Sequence, residues 1–509
     1  MTKARLQTGA AILGLALTGV LAAAFVFSNG WTLYYGDAEA HLNIARRMFD
    51  SRTPGYLQIG TVWLPLPHFL MLPFAASDSL WRSGLAGVIP SVLCFIAAGG
   101  FLFGAARRLF ESALAAFVCI AVFALNPNVL YLSSIPMTEP VFFAALFGLL
   151  WAIVRFRESP ALKWAAAGGV AALAASLTRY EGWFFLPFAA LFFLFAGKSR
   201  HWRAVFLFGG IAAAGPLWWL AHNFYCFGNA LEFYNGPYSA MAIYQRALDA
   251  GMARYPGDHD FPKAAQYFAV AVQTAAGRGL LLVSGLGALW VLRKRRFPAL
   301  LFLLLPPVFY LWSMYSSQVP IFVPSLWPFS YYNTRYALAA FPFLVCCAGA
   351  LTLAAPVRYR AAAATAIVAA ATLPWLIRAP KERQEISICW KESRANSVSR
   401  REWTREAAAI LKSQYRPGSG IILSFGDLMG ILREAGIPQR ESLHEGNPAA
   451  WNAATSIPRY FLHEEWAVAI SGDRVATAIV RSRRTGPRYR PVAVIAVKGA
   501  PVIEIYRRD

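Results

Sequence analysis

The segment TGAAILGLALTGVLAAAFVF (residues 8–27) is an uncharged apolar run long enough to cross a lipid bilayer as a helix. It is followed closely by the polar segment YYGDAEAH (residues 34–41). Similar apolar runs recur along the 509 residues, of which 57% are hydrophobic and 15% charged. Because an ordinary soluble domain carries about 25% charged residues, the chain is predicted to be a polytopic integral membrane protein.

The distribution of positive charge predicts the orientation of the spans. The net charge is +22, and the Lys and Arg residues concentrate at alternate ends of the apolar runs and after residue 377. This alternation is the positive-inside pattern, so it places the N-terminus inside and argues against a nucleic-acid partner. A cleaved signal peptide is the competing interpretation of the first run, since Ala22–Ala24 resembles a cleavage site. The length of the run favours an uncleaved first span.

We predict about eleven transmembrane helices, with the C-terminus outside. Their approximate positions are 8–27, 84–106, 112–127, a fourth span ending at Arg155 and Arg157, a fifth from Trp164 to Trp183, a sixth to Lys198, a seventh to His222, an eighth ending at Arg293–Arg296, a ninth ending near Tyr315, a tenth ending at Arg358 and Arg360, and an eleventh ending near Ile377. The apolar segment 62–74 is expected to be interfacial or re-entrant, because its three prolines would interrupt a spanning helix.

The predicted fold class is an all-α polytopic membrane domain with a small C-terminal α/β domain. The membrane domain comprises residues 1–377, and the extracytoplasmic domain comprises residues 378–509. In the second domain, hydrophobic periodicity predicts helices at 401–415 and 428–435 and strands at 421–425, 466–471, 476–480, 492–497 and 502–506. The sequence contains no internal repeat of the transporter type.

The segment 34–41 places two carboxylates, Asp37 and Glu39, just outside the first span. Carboxylates at a membrane surface are costly to desolvate, so they are candidates for a functional site. On a helix, Asp37 and His41 would share one face. The alternative is that Asp37 only caps an amphipathic helix that begins there.

Further charged side chains fall in outer loops or at the outer ends of predicted spans. They are Glu139, Glu181, Glu232, Arg179 and Arg335, with His222 beside them. Of the acidic residues before the C-terminal tail, only Glu111 and Glu158 fall in predicted inner loops. Arginine suits a phosphate because its planar fork binds oxyanions bidentately. A neighbouring carboxylate suits a general base that acts on a hydroxyl or an amine.

Each of these residues has a structural alternative. The alternatives are a helix start for Glu139, charges snorkelling to water for Arg179 and Glu181, an aromatic-belt anchor for Arg335, a polar helix end for His222 and an interfacial position for His68. The run Asp258–Asp260 resembles a metal cluster, but its flanking Gly and Pro favour a solvated turn. The cysteine spacing indicates neither a zinc site nor a redox pair.

Five short motifs carry a family resemblance. They are GDAEAH (36–41), WLPLP (63–67), TEP (138–140), TRYEGW (178–183) and NTRY (333–336). In their order and their common side, they resemble the C-type-fold (GT-C) glycosyltransferases that use polyprenyl-phosphate sugars. Residues 30–350 are similar in layout to the protein O-mannosyltransferases and the lipid A aminoarabinose transferases. The Trp-Trp-Asp-Tyr-Gly signature of oligosaccharyltransferases is absent, which disfavours transfer of a large glycan to asparagine.

The resemblance implies roles for individual residues. Asp37 would be the catalytic base for the acceptor, with Glu39 assisting it and Glu139 as the second acid. Arg179 and Arg335 would hold the lipid phosphate, and His222 is assigned to the same site. The expected substrate groove comprises Tyr35, His41, His68, Tyr180, Glu181, Tyr332 and Asn333.

The predicted function is an inverting hexosyl or pentosyl transfer from a polyprenyl-phosphate donor to an extracytoplasmic protein, lipid or glycan acceptor. The expected location is a bacterial inner membrane, with the active site on the periplasmic face. No cofactor is required by this chemistry, although Glu39 or Glu139 would suit Mg²⁺ or Mn²⁺. The alternatives are a transporter or lipid flippase, which would need polar groups near the bilayer midplane, and a membrane scaffold that displays the tail.

Overall fold

The computed structural model describes residues 3–196, 200–294, 298–377 and 387–509, and it is mainly helical. The chain divides into two compact units. The helical unit comprises Met1–Trp31, Thr61–Pro67 and Val88–Glu392, and the mixed unit comprises Thr32–Gly60, His68–Gly87 and Ser393–Asp509. The domain boundary predicted after residue 377 divides the membrane domain from the extracytoplasmic domain, which is a different criterion from compactness. That boundary stays a prediction, and residues 378–386 lie outside the described ranges.

The helical unit consists of long apolar helices and several short ones. The α-helices are Lys3–Ser28, Leu85–Leu109, Ala113–Ala124, Pro127–Ser133, Glu139–Glu158, Leu162–Ser176, Glu181–Phe184, Leu186–Leu194, Trp202–Phe227, Glu232–Asn235, Ala240–Asp249, Phe261–Ala276, Arg278–Lys294, Leu305–Tyr315, Phe341–Leu351 and Arg360–Ile377. Short 3₁₀ helices occupy Pro298–Leu304, Thr334–Ala340, Thr352–Ala354 and Val357–Tyr359. Leu85–Leu109 begins with three residues that belong to the mixed unit.

Among the described residues, six helical segments are long and apolar enough to cross a membrane, and the number rises to eight if each of two bent pairs is one span. Three further apolar helices are shorter, including Leu162–Ser176. With 15 residues, that helix rises about 22 Å, which is less than the hydrocarbon core of about 30 Å. The total of eleven spans therefore stays a prediction, as does the orientation. The predicted ends at Lys198 and at Arg295–Arg296 lie outside the described residues.

The two bent pairs have identifiable local causes. The Asn126 side chain accepts hydrogen bonds from the backbone N–H groups of Asn128 and Val129, which starts a new helix at 68° to Ala113–Ala124, where the predicted third span ends. Gly277, at φ 80°, ends the helix Phe261–Ala276 before a 107° bend.

The mixed unit contains a five-stranded sheet. Its strands are β1 (Ile421–Leu423), β2 (Ser442–Leu443), β3 (Trp466–Ile470), β4 (Tyr489–Ile495) and β5 (Ile503–Arg508), in the order β2-β1-β3-β5-β4. β2, β1 and β3 are parallel, whereas β5 is antiparallel to both β3 and β4. The helices are Gly36–Arg47, Leu66–Ala75, Asp78–Ser83, Ile388–Gln414, Met429–Ala435, Pro448–Ser456, Pro458–Phe461 and Arg474–Thr485, with 3₁₀ turns at Tyr56–Ile59 and Gln439–Glu441. Two of these helices begin in the helical unit, at Leu66 and at Ile388.

The strand predicted at 476–480 is wrong, because these residues belong to the helix Arg474–Thr485. Asp473 caps that helix by accepting a hydrogen bond from the N–H of Ala476 at 2.7 Å. Val475 and Ile479 face the core four residues apart, which is helical spacing. The two-residue strand β2 was not predicted, since so short a segment has no detectable alternation.

Side chains on the two faces of the sheet form two separate cores. Along β3, Trp466 and Val468 pack on one face with Leu411, while Ala467 packs on the other face with Trp451. This alternation is the two-residue period of a strand. The sheet is therefore covered on both sides.

Candidate functional site

In the helical unit, Arg179 is the centre of a buried charge cluster. Its Nε donates to Glu181 Oε1 at 2.6 Å, and its Nη1 donates to Glu139 Oε1 and Thr138 Oγ1, each at 2.8 Å. Its Nη2 donates to the hydroxyl of Tyr310, which in turn donates to Glu181 Oε1 at 2.9 Å. The charge of Arg179 is therefore paired with two buried carboxylates, those of Glu139 and Glu181.

Arg335 joins the same cluster through Glu139. Its Nε lies 3.2 Å from Glu139 Oε1, and its guanidinium lies 4.6 Å from the ring centre of Tyr336. The ring of Tyr336 stacks on that of Tyr310 at 4.7 Å. We call Glu139, Arg179, Glu181 and Arg335 the charge cluster. Two acids and two arginines give it no formal net charge.

Local backbone geometry sets the position of Arg179. The helix Leu162–Ser176 ends just before it, and the N–H of Arg179 bonds to the carbonyl oxygen of Ala175 at 3.0 Å. A Cβ at Gly182 would lie 2.5 Å from the same carbonyl oxygen. The turn therefore requires glycine at position 182, which explains part of the TRYEGW motif.

A carboxylate fixes the segment that carries Arg335. Glu392 is buried and accepts hydrogen bonds from the backbone N–H groups of Asn333 and Thr334, each at 2.8 Å. Asn333 adopts a left-handed conformation with φ 54°, which asparagine tolerates better than most residues. Asn333 thus has a structural task immediately before the 3₁₀ helix of Arg335.

Three other predicted site residues of the helical unit contact aromatic groups. His222 stacks on Trp219 at 4.7 Å and lies 3.5 Å from Cys226 Sγ through its Nδ1. Tyr180 stacks on Phe233 at 5.0 Å, and its hydroxyl donates to a backbone carbonyl at 2.9 Å. Tyr332 is half exposed and pairs with Phe322 in an isolated β-bridge.

In the mixed unit, Asp37 and Glu39 lie in the first turn of the helix Gly36–Arg47. The cap position is Tyr35 rather than Asp37, so Asp37 is not the N-cap. Asp37 is half-buried, whereas Glu39 is buried and lies 3.2 Å from Arg433 Nε. Glu39 therefore has an ion-pair partner that the sequence did not indicate.

His41 and His68 form a buried pair in the mixed unit. His41 Nδ1 lies 2.9 Å from His68 Nε2, and both side chains are almost completely buried. Burial, together with the positive charge of His41 and Arg47, lowers the pKa of His68 well below its usual value. The His68 imidazole is therefore neutral in the folded protein at neutral pH.

The low pKa of His68 predicts an acid-sensitive stability. Below about pH 6.5, the unfolded chain gains a proton at this residue that the folded chain does not take up. We therefore expect stability to fall as the pH falls from about 6.5, by up to about 1.4 kcal/mol per pH unit for this one proton. Thermal unfolding across pH measures the effect, and His68→Gln should reduce the slope. His463→Gln is the control, since His463 is exposed; equal slopes for wild type and His68→Gln would contradict the assignment.

The motif at 258–260 does not form a metal site in the described structure. Asp258 bonds to Tyr244, and Asp260 caps the helix Phe261–Ala276 by accepting from the N–H of Lys263. Among the residues described, no three His, Cys, Asp or Glu side chains converge to hold a metal ion.

Several contacting residues were missed by sequence reasoning. Tyr310 lies in an apolar helix, where only its hydroxyl distinguishes it from neighbouring aromatics. Glu392 and Arg433 lie in the polar tail among many other charges. No local pattern marks any of the three, since their partners are distant in sequence.

Comparisons with known proteins support the resemblance. The model of the dolichyl-phosphate-mannose-protein mannosyltransferase family matches residues 78–219. A comparison with curated proteins gives no match. The crystal structure of ArnT from Cupriavidus metallidurans bound to undecaprenyl phosphate has a TM-score of 0.55 at 14% identity, covering 96% of this chain and 97% of that chain. Its apo state gives 0.55 at 15% identity, with 97% and 98% covered.

These matches extend over nearly the whole of both chains, so this chain has the fold of ArnT. The predicted resemblance to the GT-C glycosyltransferases is confirmed. Together with the apolar helices, the fold makes this chain an integral membrane protein.

Proposed function

We propose that this chain is an inverting glycosyltransferase that moves a hexose or pentose from a polyprenyl phosphate to an acceptor on the outer face of a bacterial inner membrane. The proposal depends most on the buried charge cluster of the helical unit. Three of its members, Glu139, Arg179 and Glu181, lie in the segment 78–219 that matches the mannosyltransferase family model. The fold of ArnT, whose structure contains undecaprenyl phosphate, supports a polyprenyl-phosphate donor.

The charge cluster suits the binding of a phosphate that gains charge during the reaction. Arg335 and Arg179 would stabilise the developing charge on the leaving phosphate. All three donor groups of Arg179 already bond to protein oxygens. Arg179 would therefore hold Glu139 and Tyr310 in position, while Arg335 takes the larger share of phosphate binding. His222 would line the lipid end of the same site.

The chemical step is a single displacement at the anomeric carbon. The Asp37 carboxylate would accept the proton of the acceptor hydroxyl as its oxygen forms a bond to C1 of the sugar. The bond from C1 to the phosphate oxygen breaks, and the phosphate leaves with the electron pair. Attack opposite the leaving group inverts the configuration at C1. Polyprenyl phosphate is a good leaving group, so the step needs no metal ion, although Glu39 or Glu139 would suit Mg²⁺ or Mn²⁺.

The experiment supplies purified full-length protein with a panel of radiolabelled polyprenyl-phosphate hexoses and pentoses, with and without a chelator. We expect release or transfer of at least one sugar, an inverted C1 in the product and no loss of turnover on chelation. A chelation-sensitive reaction would overturn the metal-independent step. An absence of turnover across the panel, together with transbilayer movement of the lipid in vesicles, would favour a flippase.

A further inference from the structure

Arg47 in the mixed unit is a buried cation that forms no salt bridge with any described residue. Its side chain is 7% exposed, and within the described part of the chain it forms no ion pair. Its Nε donates to the carbonyl oxygen of Gln58 at 2.6 Å, and its guanidinium lies 4.2 Å from the ring centre of Phe425. A buried charge is costly unless it is paired. Arg47 is therefore suited to an anion supplied from outside the chain.

The neighbouring arginine shows what pairing looks like in the same helix. Arg46 Nε donates to Asp50 at 2.8 Å, and its Nη1 donates to the carbonyl oxygen of Ala75 at 2.9 Å. Asp78 provides a second carboxylate for Arg46. Both arginines are buried, so burial alone does not explain why Arg47 has no carboxylate in contact.

His444 provides a second unused donor beside Arg47. Its Nδ1 accepts a hydrogen bond from the N–H of Gly446 at 3.0 Å, so the hydrogen of the neutral ring is on Nε2. His444 Nε2 is buried and has no hydrogen-bond partner among the described residues. Burial and the positive charges of Arg47 and Arg52 lower the pKa of His444 to about 3, so the ring is neutral.

Arg47 and His444 both lie against the ring of Phe425, where two parallel strands end. Phe425 follows β1 and His444 follows β2, and their ring centres are 5.1 Å apart. The carboxyl ends of parallel strands are common ligand positions in α/β sheets. Phe425, Glu445 and Gly446 are half-buried, so this edge of the sheet is partly exposed to solvent.

The guanidinium packs closely against the backbone of Gly60. Gly60 has φ 80°, and a Cβ at this position would lie 2.9 Å from Arg47 Nη2. Position 60 therefore requires glycine, both for its backbone conformation and for the close approach of Arg47. Burial lowers the pKa of Arg47 to about 10, and the negative charge of Glu445 partly opposes this shift. The Glu445 carboxylate accepts a hydrogen bond from the N–H of Phe425 at 2.6 Å. Its negative charge would compete with an incoming anion.

We propose that Arg47, Phe425 and His444 form an oxyanion site that holds a phosphate or carboxylate group of the acceptor. The assignment to the acceptor rests on the proposed function. Arg47 follows Asp37 by ten residues on one helix, which separates their backbones by about 15 Å. The leaving phosphate must lie within one sugar ring of the proposed base, so an anion at Arg47 belongs to the other substrate.

The test titrates the full-length protein with inorganic phosphate and with acetate at constant ionic strength, reading the thermal unfolding midpoint. We expect one of the two anions to stabilise the wild type. Arg47→Gln should weaken its apparent affinity by about tenfold or more, and Glu445→Gln should strengthen it several-fold. Arg490→Gln is the control, since Arg490 is 65% exposed and should leave the affinity unchanged.

The two substitutions predict opposite changes, so Glu445→Gln remains decisive if Arg47→Gln does not fold. No binding by the wild type, equal binding by the Arg47 variant or weaker binding by the Glu445 variant would overturn the site. Sugar transfer without anion binding would remove this site and leave the proposed function intact. Anion binding that depends on Arg47, in a protein that transfers no sugar, would support this site and remove the proposed function.

Discussion

Replacing Asp37 with Asn is expected to lower turnover by about 10²–10⁴-fold, because the amide cannot accept the proton of the acceptor. Asp37 is half-buried in the first turn of the helix Gly36–Arg47, where an amide of the same shape should fit. We therefore expect the thermal unfolding midpoint to change little. Radiolabelled sugar transfer measures the first effect, and heating the detergent-solubilised protein measures the second.

The matched control is Asp249→Asn, since Asp249 is exposed at the end of another helix. It should transfer sugar at the wild-type rate. Near-normal turnover by Asp37→Asn would remove Asp37 as the base and direct attention to Glu39 or Glu139. Donor binding that survives in the inactive variant would separate a chemical role from a binding role.

Replacing Arg179 with Met is expected to destabilise the protein by about 3–5 kcal/mol. The change removes the partner of two buried carboxylates, Glu139 and Glu181, which lie 2.8 and 2.6 Å from the guanidinium. Glu139 keeps its contact with Arg335, so the larger part of the loss falls on Glu181. The thermal unfolding midpoint of the purified protein measures the effect.

The double variant Arg179→Met with Glu181→Gln tests this explanation, because it removes the charge that the single change leaves unpaired. We expect the double variant to be more stable than Arg179→Met alone. Arg254→Met is the control, since Arg254 is 71% exposed and its ion pair should contribute little. A double variant no more stable than the single one would show that lost packing, rather than unpaired charge, causes the loss.

The motifs and the charge cluster illustrate how far local sequence patterns lead. TRYEGW combines an arginine, an acid and the glycine that the turn requires, so it indicated Arg179 and Glu181 as residues of one candidate site. Its partner Tyr310 lies 131 residues from Arg179, and nothing in the apolar segment around it indicates a contact. The roles of these residues in catalysis remain predictions.

The helices also show what local sequence patterns indicate and what they miss. The sequence predicts that the third span ends near residue 127 and that an outer loop follows it. The Asn126 cap and Pro127 instead start a second helix at 68° to the first. Hydropathy averages over such a bend, because it measures composition and not backbone direction.

The sequence by itself determined the membrane character of the protein, the family resemblance and the residues worth testing. These properties depend on composition and short motifs, which a single chain displays directly. Only the tertiary structure decided which charges pair, including Glu39 with Arg433 across 394 residues. It also decided that the buried Arg47 forms no salt bridge with a described residue. Such pairings depend on how distant segments pack together, and a local pattern contains no information about its partner.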